Sequence, residues 1–73
     1  MGRLRTLSGR EVIAILRRHG FREVRQRGSH VMMQRPLDGS TLTVPVPDHK
    51  ELAIGTLLSI IRQSGVARDE FES

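Results

Sequence analysis

A chain of 73 residues without cysteine makes one small domain, residues 1–73, with no disulfide framework, no thiolate metal site and no thiol nucleophile. Its net charge of +4 divides unevenly: residues 1–35 hold nine arginines against Glu11 and Glu23, whereas residues 36–73 hold Lys50, Arg62 and Arg68 against six acids. Phe21 and Phe71 are the only aromatic residues, which argues against a base-stacking platform and leaves phosphate and shape as the means of meeting a polyanion.

The opening MGRLRTLSGR carries charge throughout, so neither a signal peptide nor a membrane span is expected there, and a cytoplasmic protein is. In SGREVIAILRRHGF, Ser8 and Glu11 stand three apart as a capping box, and Val12, Ile13 and Leu16 follow at helical spacing. A helix is expected from about residue 9 to 19, ended by Gly20, with His19 in its last turn in a structural role.

Three extended runs come next: FREVRQR, HVMMQR and STLTVPV, separated by Gly28-Ser29 and by PLDGS, whose Asp38-Gly39 step is a hairpin signal. An antiparallel three-stranded sheet is expected. Leu42, Val44 and Val46 alternate with polar residues, while Pro45 and Pro47 suggest that the third strand ends the sheet or bulges. Two registers are open for the middle strand, because Met32 is as apolar as Val31 and Met33. If Val31 and Met33 share the core with Val44 and Val46, then His30, Met32 and Gln34 face the other way, with Arg25 and Arg27 near on the preceding strand.

In the last third, Ile54, Leu57, Leu58 and Ile61 sit at i, i+3, i+4 and i+7, the pattern of an amphipathic helix beginning at Gly55 or Thr56 and stopped by Gly65. The remaining VARDEFES either forms a short helical turn that returns Phe71 to the core or frays. The order helix, three strands, helix specifies an α+β domain in which both helices pack on one face of the sheet and the other face stays open.

The three histidines, at 19, 30 and 49, lack the spacing of a metal motif, so no metal and no cofactor are expected. A polyanion-binding face on the basic half is the functional reading of the charge. A face that docks an acidic protein is its rival.

The ordered set of a capped helix, GF, RQRGSH, a hairpin, VPDHKELAIGTLLSIIRQSG and a terminal EF resembles the HicA toxins, small bacterial ribonucleases of toxin–antitoxin pairs. The resemblance runs from Ser8 to Phe71. It implies a fold similar to the double-stranded-RNA-binding domain (dsRBD), cleavage of mRNA, and neutralisation by a HicB-type antitoxin. The family's catalytic histidine, that of its G-[ST/G]-H step, falls on His30, and Val46, Pro47, Asp48 and His49 match its VP-x-H signature. Where members carry a basic residue after GTL, this chain has Leu58.

Metal-independent RNA cleavage needs a proton acceptor for the 2′-hydroxyl, a donor for the leaving oxygen and positive charge at phosphorus. His30 suits one proton transfer. Arg25, Arg27 and Lys50 are the candidate cations, Gly28 and Ser29 lie where a phosphate can approach the backbone, and His49 is the candidate second histidine. The alternative is a non-catalytic dsRBD-like module that binds RNA.

Overall fold

The computed structural model describes residues 2–73, in the order α1 (Gly9–Arg18), β1 (Arg22–Arg27), β2 (His30–Leu37), β3 (Ser40–Pro47), α2 (Ile54–Ser64) and a short 3-10 helix (Arg68–Phe71). The sheet is antiparallel in the order β1-β2-β3. The fold is thus the expected α+β arrangement, α-β-β-β-α.

The capping box at Ser8 forms in full. The Glu11 N–H donates to Ser8 Oγ at 3.1 Å, and the Ser8 N–H donates to Glu11 Oε1 at 2.8 Å. Two backbone donors that the helix itself leaves unpaired are satisfied. Val12, Ile13, Ile15 and Leu16 are then buried, and His19 caps the far end, where its Nε2 lies 3.0 Å from Glu70 Oε1.

The register places Val31 opposite Val46 and Met33 opposite Val44, all four fully buried, so Met32 takes the outer face with His30 and Gln34. Leu57 and Ile60 of α2 close the same core with the buried face of α1. Phe71 is also buried there, and the Leu4–Glu72 bridge holds the two end segments together. The tail therefore folds back instead of fraying.

Two features depart from the pattern read along the chain. The apolar stripe of α2 is rotated: Leu57, Ile60 and Ser64 are buried, whereas Ile54 is 65% and Leu58 38% exposed. The core takes Ile60 in their place because α2 packs mainly along β3, and one helix flank can meet that strand. Of the two outcomes expected of the prolines, β3 takes the first: it ends the sheet and does not bulge there. Pro45 stands opposite Met32 and Pro47 opposite His30, with register unbroken. Because the Asp48 N–H bonds the Ser29 carbonyl, His30–Pro47 and Met32–Pro45 are the non-hydrogen-bonded pairs of the ladder, where a proline forfeits no bond. The bulge lies in β1, between Glu23 and Arg25.

Candidate functional site

That bulge decides which arginines share a face with His30. Glu23 pairs with Met33 and Arg25 with Met32, so Val24 is the extra residue and the alternation reverses phase across it. Arg25 and Arg27 stand opposite Met32 and His30 on the open face, as strand alternation places them, and Arg22 joins them opposite Gln34. Alternation without a bulge would have assigned Arg22 to the core side, and nothing in the residue types marks Val24 as the insertion. Glu23, on the core side, instead meets Arg17 at 3.4 Å and Arg10 at 3.7 Å.

His30 begins β2 directly after the two-residue turn Gly28-Ser29. Gly28 adopts φ +58 and Ser29 does not need a positive φ, which fits a hairpin whose first central position demands glycine. Gln26 Nε2 donates to the Gly28 carbonyl at 3.1 Å and braces this turn. In cross-strand order, Arg27, His30 and Pro47 form one row of the open face, and Arg25, Met32 and Pro45 form the next.

The loop after β3 is tied to the same end of the sheet. The Asp48 N–H donates to the Ser29 carbonyl at 2.6 Å, the Gly9 N–H donates to the His49 carbonyl at 2.8 Å, and Arg10 Nη2 donates to Asp48 Oδ2 at 3.1 Å. A Cβ on Gly9 would overlap the Pro47 carbonyl oxygen, so the start of α1 lies directly on this loop. Gly28, Ser29 and His30 are thereby gathered with the backbone of Asp48, His49 and Lys50. His49 and Lys50 are exposed and do not line the cleft beside His30.

That cleft, about 390 Å³, lies between the edge strand β3 and the flank of α2. His30 stands at one side, the rings of Pro45 and Pro47 form the sheet wall, and Thr56, Ser59 and Gln63 form the helix wall. Among the residues that line it, His30 alone carries an ionisable side chain. The helix wall was not singled out along the sequence, although Ser59 and Gln63 occupy the polar stripe of α2 at i, i+4.

Among the described residues, no side-chain hydrogen bond or ion pair engages His30, Arg22, Arg25, Arg27, His49 or Lys50, whereas Arg10, Arg17 and Arg68 each hold an acid. The unpaired cations of β1 are therefore available to an external anion. No group of three His, Asp or Glu residues among those described is placed to hold a metal ion, and no helix is long and apolar enough to cross a membrane.

A family model described as HicA toxin of bacterial toxin-antitoxin matches residues 9–66, most of the chain and all of the site. No curated protein matches it.

Proposed function

Because the chain belongs to the HicA toxin family, we propose that it is a metal-independent endoribonuclease that cuts mRNA with His30 and is neutralised by a HicB-type antitoxin. The observation that carries this reading is the position of His30: exposed, beside Arg27 and Pro47 on the open face, at the edge of a cleft. RNA lies along the arginines of β1, with its phosphates against Arg25 and Arg27. The 2′-hydroxyl oxygen attacks phosphorus, the bond from phosphorus to the 5′-oxygen breaks, and a 2′,3′-cyclic phosphate and a 5′-hydroxyl result. His30 performs one of the two proton transfers and water the other, since no second titratable group lines the cleft. Gly28, Ser29, His49 and Lys50 support the phosphate at the same end of the sheet. An acidic antitoxin surface would occupy the arginines that RNA needs.

The test is incubation of the wild type and His30→Ala with long single-stranded RNA in EDTA. Loss of about 10²–10⁴-fold in cleavage rate is expected with the circular dichroism spectrum unchanged. Cutting retained by His30→Ala would remove His30 from the reaction. The lone titratable group in the cleft also favours a second reading, a non-catalytic RNA-binding module. Salt-sensitive binding by both proteins without new RNA ends would establish that instead.

A further inference from the structure

We infer that the α2 wall of the cleft is a nucleobase subsite in which Ser59 and Gln63 read the edge of the base beside the phosphate that His30 serves. The inference rests on the RNA-cleaving reading, and goes beyond it by assigning base recognition to residues outside the arginine stripe.

Shape and chemistry both point to a base. The cleft's volume, about 390 Å³, falls within the usual range for small-ligand sites. Its sheet wall is made of two prolines, apolar residues two apart on one strand, and a base face needs such apolar surface because no Phe, Tyr or Trp lines the cleft. Opposite them, Gln63 Nε2 donates to Ser59 Oγ at 2.9 Å. That bond spans one helical turn and restrains the carboxamide. Gln63 Oε1 and its second N–H stay available, as does the Ser59 hydroxyl hydrogen, so the wall presents a fixed acceptor beside donors. The Watson–Crick edge of every base displays a donor next to an acceptor, and a glutamine amide can meet both at once. The lining stands open at Gly55, where an added Cβ would have nothing within 4 Å. His30 lines the same cleft, so a base seated on Gln63 shares that space with the histidine.

The experiment titrates the isotopically labelled full chain with each of the four nucleoside 3′-monophosphates and follows the Gln63 side-chain amide by nuclear magnetic resonance. Ser59→Ala and Gln63→Leu are measured beside the wild type. The amide signals of Gln63 are expected to shift saturably, with one nucleotide preferred several-fold and that preference falling toward unity in both variants. Arg27→Ala is expected to weaken all four nucleotides alike. An unmoved Gln63 amide, or a preference unchanged in both variants, would overturn the subsite, as would a shift produced by a poly-glutamate peptide and by no nucleotide. Cleavage assays on the same proteins separate the two claims. A wild type that binds bases through Gln63 but never cuts RNA leaves the subsite standing and removes the ribonuclease. One that cuts with a nucleotide preference indifferent to Ser59 and Gln63 does the reverse.

Discussion

The backbone N–H of Asp48 donates to the carbonyl of Ser29 at 2.6 Å, extending the β2–β3 ladder one residue past the named strands. The residue before His30 is thereby locked to the loop that carries His49 and Lys50. The same loop is pressed from the other side by α1 through Gly9. Gly9→Ala would force the start of α1 away from Pro47, and a loss of about 1–3 kcal/mol is expected from such overpacking. For a domain of this length each kcal/mol moves the melting temperature by about 4–8 °C. Thermal denaturation reads the effect directly, and an unshifted Tm would mean that helix and loop can separate without cost.

The three unpaired arginines of β1 should behave differently from those of α1. Replacing Arg22, Arg25 or Arg27 with alanine is expected to flatten the salt dependence of single-stranded RNA binding by about 0.7 logarithmic units each, the share of one phosphate contact. Arg17→Ala, whose guanidinium is already held by Glu23 at 3.4 Å, should leave the slope where it was. Affinity measured across a series of salt concentrations tells the two groups apart, and equal slopes for all four variants would place the RNA elsewhere.

Acid should weaken the start of α1. The Ser8 backbone N–H, with help from the Ser8 hydroxyl and Arg5, holds the Glu11 carboxyl below its ordinary 4.5. A carboxylate whose pKa is lower in the folded chain stabilises the fold above the unfolded value and loses that contribution as the pH falls through the folded one. Urea denaturation from neutrality to below pH 4 is therefore expected to show wild type and Glu11→Gln converging in stability. Ser8→Ala, which removes the other half of the box, should cost about 1 kcal/mol at neutral pH. A gap between wild type and Glu11→Gln that is constant with pH would contradict the assignment.

Leu58 is 38% exposed and stands where the HicA toxins resembled by this sequence carry a basic residue. Leu58→Arg should change stability by no more than about 0.5 kcal/mol, as for other surface positions. If RNA passes along α2 as well as β1, the variant binds more tightly and with a steeper salt dependence. Tighter binding without a steeper slope would place the helix off the RNA path.

Much of this molecule is legible from local chemistry. Ser8 with Glu11 announces α1, the Gly28-Ser29 and Asp38-Gly39 steps announce the hairpins, and alternation around Val44 and Val46 selects the inner face, because each signal depends on residues close in sequence. For His30 alternation leaves two registers open, and the pairing of Val31 with Val46 selects the one that sets it on the open face. Three features do not follow, and all depend on packing between distant segments. Val24 forms the bulge that brings Arg22 to the open face, yet its side chain does not distinguish it from an ordinary strand residue. The rotation of α2, which exposes Ile54 and buries Ile60, is set by the line along which the helix meets β3. The cleft arises only where that helix runs beside Pro45 and Pro47, so Thr56, Ser59 and Gln63 gain their interest from neighbours 9 to 18 residues before them.

β1 runs along the border of the sheet with all six of its residues exposed and, among the described residues, no strand on its outer side. Such a border offers a ready template to any second copy, and a copy arriving there would set guanidinium against guanidinium along a strand already kinked at Val24. The arginines proposed to meet RNA would thus also guard that border against self-pairing. A ligand that cancels their charge lifts that guard, so neutralised chains should stack where bare ones repel.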